Sequence, residues 1–122
     1  MTENKLSGLL KNIGVRPNLK GYYYIREMLV LLQKEPDYKL IPLYMAIANR
    51  HGVKWISVER AARYAIEDVF TCNNAKELNR VFGGFRDVNT GKLANKEFLW
   101  TLLDYIQTEE REQHETTDCE MA

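Results

Sequence analysis

Cysteine and histidine are scarce in this chain, two of each, and their positions deny them most of the chemistry they usually support. Cys72 and Cys119 lie far apart, with no paired-cysteine or cysteine–histidine spacing around them. Both are read as free thiols, and no zinc site or other metal site is expected. His51 and His114 are equally isolated. Long apolar runs are absent as well: the stretch Met28 to Leu32 falls far short of the ~18 residues that suggest a membrane span. Residues 1–5 lead into amphipathic sequence rather than an apolar leader core, so a cytoplasmic protein is expected. Alternating strand patterns and internal repeats are missing too, which leaves helices as the building material.

Recognisable catalytic groupings are also lacking. A catalytic reading needs a nucleophile beside a base, paired carboxylates, or a glycine-rich phosphate cradle. Gly83-Gly84 is followed by Phe85-Arg86, not by a lysine and a hydroxyl residue, so it does not match a phosphate-binding loop. Asp68, Asp87 and Asp104 stand in separate segments without a shared spacing. The expectation is a protein that is not an enzyme and needs no cofactor.

Net charge is the last thing missing, and its absence hides an asymmetry. Residues 1–108 carry 16 Lys and Arg against 11 Asp and Glu, a net of +5. Residues 109–122 carry Arg111 against six acidic residues, a net of −5. The reading is one basic folded domain over 1–108 and an acidic, disordered tail over 109–122. At 122 residues there is room for one core that buries roughly two thirds of the unfolded chain's surface, and no second domain fits.

What is present is helical periodicity. Leu6, Leu9, Leu10 and Ile13 recur on one face, with Gly14 placed to end the helix. After a turn at Arg16-Pro17-Asn18, the residues from Leu19 to Leu32 predict a longer helix that stops before Pro36. The tyrosines 22–24 in it are read as core and rim packing rather than as a stacking platform for bases. Asp37 is the expected cap of a third helix that carries Leu40 to Ala48 and ends near Arg50, with Pro42 within its first turn or so. A fourth helix carries Val58, Ala61, Ala62, Ala65, Ile66 and Val69 inward. A fifth, from Asn73 or Asn74 to Phe82, ends at Gly83-Gly84, and Asn95 is expected to cap a last helix that stops before the tail from Thr108. The fold class is all-α, a compact bundle of about six helices.

The stretch from Tyr44 to Arg63 is the part the rest of the chain is expected to support. Ala48, Gly52, Val58 and Ala61 have the small-apolar spacing of two helices crossing at a tight turn, a helix-turn-helix pattern. The outward side of its second helix, about 55–70, shows Trp55, Ser57, Glu59, Arg60 and Arg63, with Lys54 just ahead and Arg50 across the turn. Arg50 to Arg63 sums to +3, which places positive charge where such a unit would meet phosphates. Glu59 and Arg63 stand four apart, so an exposed ion pair is the plainer reading of those two. Ser57 also has the chemistry of a helix N-cap, which would start the helix later.

These residues resemble the C-terminal DNA-binding effector domain of the stage 0 sporulation protein A family of response regulators. The resemblance runs from about Ile13 to Ile106. It rests on Lys20-Gly21-Tyr22, Tyr24-Ile25-Arg26-Glu27, Val58-Glu59-Arg60-Ala61 with Arg63, Ala65-Ile66-Glu67, Phe82-Gly83, and Asn95 with Glu97-Phe98. It implies an all-helical transcriptional regulator whose fourth helix enters the major groove of double-stranded DNA at a promoter element. Ser57, Glu59, Arg60 and Arg63 then fall at base-reading positions. An arginine can bond guanine O6 and N7, and a glutamate can accept from cytosine N4. Arg50, Lys54 and Trp55 are assigned to the DNA backbone or the helix start. The resemblance further implies contact with the polymerase sigma factor through about 72–85, and raises a dimer on tandem sites.

Three departures stand out. The family's phosphorylated receiver domain has no counterpart ahead of Met1, so phosphorylation is not expected to switch this chain in the same way. Where the family pattern has small polar residues and then Ser-Arg, this chain has Lys54-Trp55-Ile56-Ser57, so its target sequence is expected to differ. The acidic tail has no counterpart either. The alternative function is a protein-interaction module or antagonist that kept the fold and lost specific DNA binding.

Overall fold

Thr2 opens the first helix, its hydroxyl accepting from the Lys5 backbone N–H at 3.4 Å. This helix, α1 (Glu3–Ile13), turns Leu6, Leu9, Leu10 and Ile13 inward and ends at Gly14, whose φ of 104° is the left-handed conformation the sequence predicts there. The computed structural model describes residues 2–72, 81–82 and 94–121, with side chains described for 2–70, 81–82 and 94–111. Four more helices follow among them: α2 (Lys20–Lys34), α3 (Leu40–His51), α4 (Trp55–Cys72) and α5 (Asn95–Met121). No strand occurs among the described residues. No helix there is long and apolar enough to cross a membrane.

The bundle is organised around α2, not around the α3–α4 pair that the sequence puts forward. Ile25, Met28, Leu29 and Leu32 are fully buried, and α2 touches each of the other four helices. Its tightest approach is to α4. A β-carbon placed on Gly21 would overlap the carbonyl oxygen of Ala61 and lie 2.7 Å from the Ala65 β-carbon. The absence of a side chain at Gly21 thus sets how close the two helices come. Beyond that crossing, Arg16 grips Asp68 with two hydrogen bonds, Nε to Oδ2 at 2.8 Å and Nη2 to Oδ1 at 2.6 Å, pinning the α1–α2 turn to α4.

Tyr22 and Tyr24 are buried and Tyr23 is exposed, the split that a helix forces on successive residues. Arg26 lies over the rings of Tyr22 and Tyr23 and donates to the Ser7 hydroxyl. Val81 and Phe82 are helical and buried, and Phe82 stacks on Phe98 with centroids 5.0 Å apart. Phe70 meets both rings edge-on, so three phenyl rings join α4, α5 and the chain between them. The expected fifth helix otherwise falls on residues outside those described.

Two caps differ from the sequence reading. Lys39, not Asp37, precedes α3, and no side chain caps that end. Asn95 occupies the first position of α5, and the Ala94 carbonyl accepts the first helical bond, from Phe98. The last helix also continues past Thr108 to Met121. No glycine or proline occurs after Gly91, so nothing in the local sequence stops it. Residues 107 and 110 lie beside Val30, Gln33 and Lys34 at the C-terminal end of α2. A helix rising 1.5 Å per residue places that point about 22 Å from Asn95.

Candidate nucleic-acid interface

The approach to α4 is built by a glycine. Gly52 ends α3 with a φ of 64°, donating its N–H to the Ala48 carbonyl, and the Val53 N–H returns to the same carbonyl at 3.1 Å. A residue with a β-carbon is strained in that conformation, so Gly52 lets the chain reverse within a few residues. The helix then begins at Trp55. Ser57 donates its backbone N–H to the Lys54 carbonyl at 3.0 Å, which puts Ser57 inside the first turn rather than at the cap. Glu59 consequently lies in the second turn, away from the helix-end partial charge that a later start would have given it.

Val58, Ala62, Ala65, Ile66 and Val69 face inward and are buried, with Ala61 half-buried beside them. Small residues dominate this face because α2 and α3 both press on it. The opposite side presents Ile56, Ser57, Arg60, Arg63 and Tyr64 to solvent. Arg60 and Arg63 therefore share one outward surface. Glu59 lies on its flank, its side chain only 20% exposed, with Oε1 3.2 Å from Arg63 Nη1. The carboxylate and the guanidinium are presented as a pair. Arg60 and Lys54 are exposed and have no ionic partner among the described residues.

Below the start of α4, Trp55 stacks on Tyr44 of α3, with planes 8° apart and centroids at 6.2 Å. Trp55 is half-buried there and covers the helix start. The Tyr44 hydroxyl accepts from the Asn95 side-chain amide at 3.0 Å, and the same nitrogen donates to the Glu59 carbonyl at 3.2 Å. One buried amide thus fastens α3, α4 and the start of α5 at the level of the outward charges. Burial pushes the Tyr44 phenol above its usual range and the Glu59 carboxylate adds to this, while the Asn95 hydrogen bond and Arg63 oppose it.

Arg50 and His51 close α3 on the other flank, where cations suit the helix C-terminus. Both meet Glu27 of α2: His51 Nε2 stands 2.6 Å from Oε2, and Arg50 Nη1 stands 4.0 Å from Oε1. Tyr24 packs edge-on against the His51 ring. Glu27 was legible only as part of a family-like segment; its hold on α3 depends on two helices far apart in sequence. Ile56 and Tyr64 are exposed on the same side as Arg60, a placement that a charge pattern does not reveal. Of the segment 72–85, expected to touch a sigma factor, only Val81, Phe82 and the backbone of Cys72 lie within the described residues.

A family model described as sporulation initiation factor Spo0A C terminal matches residues 6–106. The chain belongs to this family, which is one of DNA-binding effector domains of transcriptional regulators rather than of enzymes. The match begins at Leu6, earlier than the resemblance read from the sequence, and so takes in most of α1.

Proposed function

We propose that α3, the Gly52 turn and α4 form a helix-turn-helix that reads a specific promoter sequence, with α4 lying in the major groove. The observation that carries this is the two-sidedness of α4: alanines and valines are buried behind, and two guanidinium groups stand in front with one carboxylate at their flank. Arg60 and Arg63 are suited to guanine, and Glu59 to the cytosine amino group. Ser57 offers a hydroxyl to a neighbouring base. Lys54 and Arg50 flank the stripe and serve the phosphates, which position the domain without specifying sequence. Trp55, committed to Tyr44, holds the helix start.

Family membership supports two further parts of this reading: a sigma-factor contact through about 72–85, and pairing of two copies on tandem sites. Residues 1–108 constitute the working domain, with the acidic segment appended.

Selection of bound duplexes from a random pool tests the proposal. A single enriched motif several base pairs long is the expected result. No enrichment, alongside a stable complex with a protein partner, would instead establish the alternative of an interaction module that kept the fold and lost specific DNA binding.

A further inference from the structure

The outward side of α4 holds two exposed side chains that charge does not account for, Ile56 and Tyr64, and Ile56 is the one at the helix start. Ile56 is 36% exposed at the second position of the helix. Its neighbours Val58 and Trp55 are buried in the core or half-buried against it, whereas Ile56 lies on the exposed side of the helix. Singly exposed apolar side chains are common and by themselves mean little. What sets Ile56 apart is its register. Arg60 and Arg63 follow it four and seven positions on, the spacing that aligns three side chains along one helical stripe. In a recognition helix it is the N-terminal residues that reach base edges, and Ile56 stands at that end.

We infer that Ile56 reads the 5-methyl group of a thymine adjacent to the base pair contacted by Arg60. In the major groove that methyl is the distinguishing apolar feature of a base edge, and an aliphatic side chain recognises it by contact and exclusion of water. Ile56 has no side-chain donor or acceptor with which to read guanine, adenine or cytosine, so the only base edge it rewards is thymine. Isoleucine next to Ser57 therefore sets methyl contact beside hydrogen bonding at this end of the site. The inference rests on the proposed major-groove reading and adds the chemical class of one base to it.

The test uses the full chain and the duplex it selects. Each thymine of the selected site is replaced singly by deoxyuridine, which removes only the 5-methyl group, and binding is measured for wild type and for Ile56→Ser. The expected result is one position at which uracil weakens wild-type binding about fourfold, the size of one lost methyl contact. At that same position Ile56→Ser should bind the thymine and uracil duplexes equally. A thermal melt of the variant confirms the fold, which an exposed position should leave intact. Specific binding in which no thymine is sensitive, or in which the uracil effect survives unchanged in Ile56→Ser, overturns the inference while leaving the DNA reading in place. Failure to enrich any motif overturns both.

Discussion

The Asn95 amide donates to the Tyr44 hydroxyl at 3.0 Å, fastening the first residue of α5 to the middle of α3. Its second bond, to the Glu59 carbonyl, adds α4 to the same joint. Asn95 is buried, so truncation would take from the buried Tyr44 hydroxyl its donor and remove the second bond to the Glu59 carbonyl. Asn95→Ala should therefore lower unfolding stability in urea by about 1–3 kcal/mol. A loss near zero would show that the joint is not what holds the helices.

Tyr44 adds a pH dependence to that joint. Its folded-state phenol titrates above the usual value of 10.0, chiefly because burial penalises the phenolate. Below that value the phenol is neutral whether the chain is folded or not, and its contribution is fully present. As pH rises past it the unfolded chain ionises first, the folded state binds more protons, and stability falls. The stability gap between wild type and Tyr44→Phe should shrink in urea titrations run between about pH 8 and pH 11. A gap that stays constant over that interval contradicts the assignment.

Gly21 and Gly8 should respond oppositely to the same substitution. A β-carbon at Gly8 meets nothing within 4 Å, so Gly8→Ala should stabilise α1 by about 0.5–1 kcal/mol through helix propensity. At Gly21 that gain is outweighed, because the added carbon overlaps the Ala61 carbonyl and the helices must part. Gly21→Ala should cost about 1–3 kcal/mol net, read as a lowered melting temperature. Equal effects at both sites would mean the α2–α4 crossing is looser than it looks.

On the proposed reading Arg60 and Lys54 should separate base reading from phosphate contact. Arg60→Ala should lose about 1–3 kcal/mol on the selected site and relax preference at one base pair. Lys54→Ala should weaken all sequences alike and reduce the slope of log affinity against log salt by about one. Competition binding against single-base variants over a salt series distinguishes them, and unaltered binding by both variants would remove α4 from the interface.

On the proposed reading Glu59 should restrain as well as read. Its carboxylate sits 3.2 Å from the Arg63 guanidinium, and its negative charge would oppose DNA phosphates. Glu59→Gln should raise affinity for unselected DNA, steepen the salt dependence and narrow the ratio of specific to non-specific binding. Weaker binding to both kinds of DNA would show that Glu59 acts by supporting Arg63 alone.

Local signals predict the elements of this fold well where a single residue carries the cause. Gly14 and Gly52 end their helices because only glycine enters the left-handed region freely, and both are visible as glycines between periodic segments. Capping was less legible. Asp37, Ser57 and Asn95 all have side chains that can cap, yet none occupies the capping position, since the chain's path around α2 sets where each helix begins. Asn95 was drawn instead into a tertiary joint, and nothing near it in sequence indicates Tyr44 or Glu59. The end of α5 is hard to read for a different reason: a polar stretch need not stop a helix, because glutamate and arginine are good helix formers.

By its sequence alone this chain is committed to an all-helical fold with a buried face of alanines and valines on α4 and cations on the other side. Periodicity and charge are local, and they survive any arrangement of the helices. Only the tertiary structure decided that α2 is the hub, that Glu27 and Glu59 engage the cations beside them, and that Ile56 stays partly exposed in line with Arg60. Those outcomes depend on how close two helices come and which faces meet, a matter set at Gly21 and Asn95 by partners some 40 residues away.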